Sequence, residues 1–249
     1  MRYFFQVSYH GRNYHGWQIQ KNAITVQQII NEALSTIFGR PVAITGSGRT
    51  DTGVHASGQV FHADFEKSFD ENDIRFKLNS LLPPDISILR IRPVKEDASA
   101  RFDAISRTYE YHIHLHKNPF LQETSYYFRG DPDLQAMNKA AETLLLAEDF
   151  ESFSRVKTEV NHFLCDVQKA EWITRDTSLI FHITANRFLR GMVRAITGTL
   201  LDVGLGRTSQ QDFGRIIEEK DRKSAGRSVP ALGLILTAVR YPDDLFLTS

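Results

Sequence analysis

Hydrophobic and polar positions alternate over residues 3–9, a period of two that predicts a strand, and residues 11–16 form a turn-rich connection ending at Trp17. The period then changes. Val26, Ile29, Ile30, Ala33, Leu34, Ile37 and Phe38 recur at helical spacing, with Thr25 and Gln28 as a capping box before them and Gly39 as the stop. Residues 42–45 and 59–65 read as strands, joined by about a dozen residues without regular pattern, a length that points mildly to function. A short helix over residues 76–82 is stopped by Pro83-Pro84, and residues 86–94 form another strand. Alternation returns over residues 107–115, with Arg107, Tyr109, Tyr111, Ile113 and Leu115 on one face and Thr108, Glu110, His112, His114 and His116 on the other. Asp133 caps a helix, residues 167–173 and 179–185 form a hairpin, and a helix from about Phe188 buries Phe188, Met192, Ile196 and Leu200. On that helix Arg187, Arg190 and Arg194 line up at spacings of three and four. Ser209 with Asp212 caps a last helix, and residues 231–240 close the pattern as a strand.

Strand, helix and strands in each half suggest an α+β protein whose two halves are built alike, with mainly antiparallel sheets flanked by helices. The boundary falls near residue 105, giving halves 1–105 and 106–249, and no residue-level repeat links them. At 249 residues the chain can bury a sizeable core, and its 41% apolar and 24% charged composition is that of an ordinary globular protein. Apolar runs fall short of the roughly 18 residues of a membrane span, and the first residues lack the apolar core of a secretory signal, so a cytoplasmic protein is expected. The one cysteine, Cys165, can form no internal disulfide or cysteine-rich zinc site and reads as a small apolar residue. Thirty basic and thirty acidic residues give no overall pull toward nucleic acid, but from Arg187 to Arg227 nine basic residues face five acidic ones.

The irregular segment between the predicted strands at 42–45 and 59–65 carries the most suggestive chemistry. It places Asp51 two residues from Arg49, among glycines at 46, 48, 53 and 58. A free aspartate, with a pKa of about 3.9, is a nucleophile at pH 7 without help from a base, and a cation beside it keeps it so. A turn-forming or capping aspartate has the same appearance, and the spacing alone leaves both readings open. Tyr109, beside Arg107, suits either a core-facing row or stacking on a base. Arg187, Arg190 and Arg194 suit either a solvated helix face or a fork for carboxylate or phosphate. His112, His114 and His116 could be read as zinc ligands, yet exposed histidines beside Glu110 need no metal. The glycines near Asp51 lack the lysine and helix of a nucleotide-binding loop.

The whole chain resembles the tRNA pseudouridine synthase A family. The match runs through Tyr9-His-Gly, Tyr14-His-Gly-Trp-Gln-Ile-Gln, Val26-Gln-Gln, Gly48-Arg-Thr-Asp-Thr-Gly-Val-His-Ala, Gly58-Gln-Val, Leu78-Asn-Ser-Leu-Leu-Pro, Ala100-Arg-Phe-Asp-Ala, Ser106-Arg-Thr-Tyr-Glu-Tyr, Asp149-Phe-Glu-Ser-Phe, Phe188-Leu-Arg-Gly-Met-Val-Arg and Gly233-Leu-Ile-Leu, in that order. The resemblance implies an isomerase that converts uridine to pseudouridine in the anticodon stem-loop of tRNA, at about positions 38 to 40, with no cofactor or metal. It also implies a homodimer of subunits with the active site in a cleft between two similar α/β halves. Asp51 would be the catalytic nucleophile, Arg194 the arginine that pairs with it, Tyr109 the tyrosine that stacks on the flipped base, and Leu234 a packing neighbour. Arg49 would face the RNA. His10, Gly191 and Asn161-His-Phe-Leu-Cys depart from the family pattern. A retaining glycosidase would need a second carboxylate about 5 to 5.5 Å from Asp51, for which no motif supplies a candidate, and a non-catalytic RNA-binding module is the remaining alternative.

Overall fold

The structure is a computed structural model that describes residues 1–156 and 160–247. The chain divides into two compact units, Met1–Ile105 with the chain from Leu236 onward, and Ser106–Ile235. Ile105 and Ser106 stand at one change of unit. Ile235 and Leu236 stand at a second, which an assignment of residues 106–249 to one half leaves out. The physical reason is that the last strand and the tail after it bury their apolar side chains on the first unit. Val239, Tyr241, Leu245 and Phe246 pack against Phe4, Val60, Val94, Ala98 and Ala100.

In the first unit the strands are β1 (Arg2–Tyr9), β2 (Ile44–Gly46), β3 (His55–Asp64), β4 (Ile86–Val94) and, from Leu236 onward, the larger part of β9 (Leu234–Arg240). Their order is β4-β1-β3-β9, with β2 added to β3 opposite Phe61 to Ala63; β1 runs antiparallel to both β3 and β4. One face of β1 carries Tyr3, Phe5, Val7 and Tyr9, all buried. Phe5 stacks on Phe61 at 4.8 Å between ring centroids, and Phe38 packs on Phe65 at 4.5 Å. Phe38 ends α1 (Val26–Phe38), the helix expected from the 3.6 period; α2 (Glu71–Leu81) starts earlier than its apolar positions imply because Asp70 caps it by accepting from Asp73 N. Only half of the expected capping box forms on α1. Thr25 accepts from Gln28 N, while the Gln28 side chain bonds forward to Glu32 instead of back to Thr25.

The second unit holds β5 (Ser106–His114), β7 (Val167–Arg175) and β8 (Ser178–Ala185), antiparallel in the order β5-β8-β7, with the short β6 (Tyr126–Tyr127) parallel to the end of β5. Helices α3 (Leu134–Ala141), α4 (Met192–Gly204) and α5 (Gln210–Glu218) join the strands, with short 3-10 turns between elements, and α3 packs on α4, α5 and β7. Tyr111 and Phe181 face each other across the strands, and Trp172 stacks on Phe181 at 5.0 Å. Asn138 of α3 clips onto β7 by accepting from Trp172 N at 2.7 Å and donating to Trp172 O at 3.0 Å. Each unit is therefore mixed α/β with a mostly antiparallel sheet and helices packed against it. No helix among the described residues is long and apolar enough to cross a membrane.

Candidate active site

Asp51 and Arg49 sit on the connection between β2 and β3, which is shorter than expected because β3 begins at His55. Three attachments hold it. Tyr9 and Thr50 share a buried hydroxyl–hydroxyl hydrogen bond at 2.8 Å; Trp17 N donates to Thr50 O at 3.3 Å; and Gly53 N donates to Tyr14 O at 3.3 Å. Gly53 has φ 78, a left-handed conformation that a side chain would strain, and Val54 N closes the turn on Asp51 O at 3.2 Å. The Trp17 indole lies so close to Gly46 that no Cβ fits there. Gly48 meets neither demand, and Gly58 serves β3, where its backbone meets that of Thr237 in β9. The four glycines thus do different work, and only Gly46 and Gly53 shape the loop.

Burial follows from these attachments. Ser47 and Thr50 are buried, Arg49 is exposed, and Asp51 is half-buried, so the two charged side chains lie on either side of a pinned residue. The segment that pins them is itself anchored. Asp85 accepts from the Tyr14 hydroxyl at 2.6 Å and from Asn13 Nδ2 at 3.1 Å, and its carbonyl accepts from His10 N at 2.9 Å. The buried His55 ring accepts from Gly11 N at 3.0 Å and lies 4.3 Å from the His10 ring; burial holds the His10 imidazole below its ordinary range.

Tyr109, Arg194 and Leu234 belong to the second unit. Tyr109 is half-buried on β5, its ring edge-on to Phe188 at 5.2 Å. Two residues on, Tyr111 is fully buried and donates its hydroxyl to Pro230 O at 2.8 Å; desolvation pushes its phenol well above the ordinary value. The segment from Val229 to Leu234 ties these residues to α4. Arg194 Nε donates to Val229 O at 2.7 Å, and Val229 N donates to Arg194 O at 3.1 Å, so the guanidinium is held at its inner nitrogen. Gly233 packs its α carbon onto the His112 carbonyl and the Tyr111 ring, which sets the start of β9 and buries Leu234 to 6% exposure.

Two expectations are corrected. The row of Arg187, Arg190 and Arg194 is not one helix face, since α4 starts at Met192 behind Gly191, whose φ of 74 breaks the helical path. Arg187 instead approaches the His162 ring at 3.2 Å, and Arg190 O accepts from Arg155 N at 2.9 Å. Nor are the three strand histidines an exposed set. His112 bonds Glu110 at 2.7 Å, His114 is buried against Tyr127 and bonds Ser125 at 3.0 Å, and His116 lies beyond the end of β5. Among the described residues no group of three or more His, Cys, Asp or Glu is placed to hold a metal ion. Cys165 is buried, and desolvation pushes its thiol up to about 11, so it remains an apolar packing group.

The residues that hold the Asp51 loop, Tyr9, Trp17 and Thr50, with Gln59, whose side chain bonds Ser47 and Gly48, carry no role in the sequence reading. All four lie in motifs that suggested the resemblance, but their contacts are long-range and leave no periodic signal.

The family model for tRNA pseudouridine synthase matches residues 6–103 and 140–242. With that match across both units, and with the Asp51 loop and the Tyr109 strand inside or between its two spans, the chain belongs to the tRNA pseudouridine synthase family. Its relatives carry a narrower name. It is similar to tRNA pseudouridine synthase A of Bacteroides thetaiotaomicron, 49% identical over 98% of this chain and 92% of that protein, and of Parabacteroides distasonis, 48% identical over 98% of each. The protein of the same name from Francisella tularensis subsp. novicida is 38% identical over 98% of this chain and 95% of the relative.

Proposed function

We propose that the protein isomerises uridine to pseudouridine in tRNA, with Asp51 as the nucleophile. The observation that carries the reading is the loop itself, in a chain of this family. A half-buried carboxylate sits between residues fastened at 50 and 53, as a group that must meet a reacting carbon in one fixed geometry would require. The reaction is redox-neutral and balances within the substrate. The bond from C1′ to N1 breaks, C5 joins C1′, the C5 proton leaves and N1 gains one. A carboxylate can assist at C1′, at C6 of the base, or through a glycal, and each route is compatible with the same side chain.

Tyr109, Arg49, Arg194 and Leu234 are the substrate-binding residues in this proposal. The aromatic face of Tyr109 suits stacking on a base, the guanidinium groups suit phosphate or carboxylate, and Leu234 supplies an apolar wall. Reaching a paired uridine requires flipping it out of the stem at a cost of a few kcal/mol. The anticodon stem-loop as target, positions 38 to 40, and a homodimer complete the proposal and rest on the family resemblance. Mapping pseudouridine in total tRNA with and without the gene tests the positions, and the mass of the protein in solution tests the dimer.

The deciding experiment follows tritium release from tRNA carrying uridine labelled at C5, without added cofactor. The wild-type protein is expected to release tritium, and Asp51→Asn to release none while still binding tRNA. Undiminished release by Asp51→Asn overturns the nucleophile assignment.

A further inference from the structure

We propose that Gln59 is a positioning residue for the Asp51 loop, acting through its side-chain amide. The proposal rests on the reading of Asp51 as nucleophile given above. Gln59 lies on β3 in a row with Phe61 and Ala63, opposite Val7, Phe5 and Tyr3 of β1. Phe61, Phe5 and Val7 are fully buried and Ala63 and Tyr3 nearly so, and Gln59 is itself at 0% exposure. An apolar side chain would satisfy that row. An amide there must instead find partners for both its ends, or the strand loses stability.

The partners define what the residue does. Gln59 Oε1 accepts from the buried Ser47 hydroxyl at 2.5 Å and from Val60 N at 3.3 Å, and Gln59 Nε2 donates to Gly48 O at 3.0 Å. The opposite amide orientation would turn the NH2 group toward the Val60 N–H and the oxygen toward the Gly48 carbonyl, so the network selects one orientation. Ser47 N also donates to Val60 O at 2.8 Å, fastening the same limb a second time. Residues 47 and 48 are thereby fixed from β3, and Thr50 is fixed from Tyr9 and Trp17. Arg49 and Asp51 project from a backbone held on both sides of them, and Gln59 supplies the hold on the first side.

The chemistry of the contact makes the idea specific. Methionine at 59 fills the space without any donor for the Gly48 carbonyl, whereas a buried glutamate, kept as its neutral acid by desolvation, has nearly the same shape and can still donate an O–H there. If Gln59 only packs, Gln59→Met changes stability and leaves turnover of folded protein untouched. If it positions the loop, a displacement of about 1 Å at Asp51 lowers turnover about 100-fold without changing how tRNA is held.

The test measures kcat and KM for tritium release at 25 °C on Gln59→Glu, Gln59→Met, Ser47→Ala and the double variant of Ser47→Ala with Gln59→Met, with Asp51→Asn in parallel. Melting curves report whether each variant is folded. The expected result is a kcat lowered about 10- to 100-fold in Gln59→Met with KM for tRNA within about threefold of wild type, a smaller loss in Gln59→Glu, and a loss of at least about threefold in Ser47→Ala. Ser47→Ala should add almost nothing on top of Gln59→Met, because the two residues share one network. A folded Gln59→Met variant with kcat within twofold of wild type overturns the proposal. Should Gln59→Met fail to fold, wild-type kcat in Ser47→Ala overturns it. Full release by Asp51→Asn sinks the nucleophile reading by itself, whatever the Gln59 variants do.

Discussion

Gly16→Ala is the sharpest test of how closely the neighbouring segment sets the place of Asp51. Gly16 has φ 85, and a Cβ there would run into the Thr50 carbonyl oxygen, with the carbonyl carbons of Asp51 and Thr50 at 3.2 and 3.3 Å. Three costs follow. The left-handed conformation costs an alanine about 1–2 kcal/mol, overpacking about 1–3 kcal/mol, and weakening of the Trp17 N to Thr50 O bond about 0.5–1.5 kcal/mol. A total of about 3 kcal/mol or more lowers the melting midpoint of a chain this size by about 6–12 °C. To restore van der Waals contact the Thr50 carbonyl must retreat by about 1 Å, which carries Asp51 with it and lowers kcat about 100-fold. Two glycines separate the causes. Gly39, at φ 65 with nothing within 4 Å of a built Cβ, tests strain alone, so Gly39→Ala should lose about 1 kcal/mol and keep its kcat. Gly48 has open space and no positive φ, so Gly48→Ala should change neither quantity by much. The assays are thermal melting by circular dichroism and tritium release at 25 °C. Wild-type kcat in folded Gly16→Ala, or an equal loss of kcat in Gly39→Ala, refutes the reasoning.

Two further expectations concern the second unit and pH. Tyr109→Phe keeps the edge-on contact with Phe188 and loses only the hydroxyl, so it should bind tRNA normally and turn over severely more slowly; normal turnover limits Tyr109 to packing. His10, His62, His114 and His182 are all held below the ordinary histidine value, in each case mainly by burial. The unfolded chain then binds more protons than the folded one once pH falls below about 6.5, so stability is full above that value and declines as pH drops toward the lower folded values. The melting midpoint should fall between pH 7.5 and 5, and replacing His114 should flatten that slope; a flat wild-type profile counts against the buried histidines as its cause.

Sequence legibility was uneven, and the unevenness has physical causes. Period and caps locate β1, α1, β4, the β7–β8 hairpin and α5 closely, because those elements bury one face and carry local signals such as the stop at Gly39 and the start at Ser209. The start of β3 escapes the pattern because residues 55–58 mix His, Ala, Ser and Gly, and the burial of His55 and Gly58 comes from packing on Gly11 and β9 and not from alternation. The pattern puts the start of α4 too early because Phe188 and Met192 keep a helical spacing across Gly191, where only a positive φ reveals the break. At the site, Asp51, Arg49, Tyr109, Arg194 and Leu234 could be named because motifs mark them. The side chains that fasten the loop carrying Asp51 and Arg49, among them Tyr9, Thr50 and Gln59, act at long sequence range through single hydroxyls or one amide, and hydropathy patterning does not register such contacts. Residues 157–159 lie outside the described residues, as do residues 248 and 249 of the expected second half.

The return of the chain at Leu236 has a consequence for synthesis. A ribosome releases β1 and β3 early, but the strand that meets Gly58 through Thr237 emerges only after residues 106–235 have been made, on the order of ten seconds later. During that interval β2 pairs β3 only at Phe61 to Ala63, and the part of β3 next to the Asp51 loop waits with an open edge, the kind of edge that recruits stray strands. The Asp51 loop therefore hangs from a strand whose pairing is completed only by residues from 236 onward, so a chain halted before residue 236 carries Asp51 on an unfinished sheet.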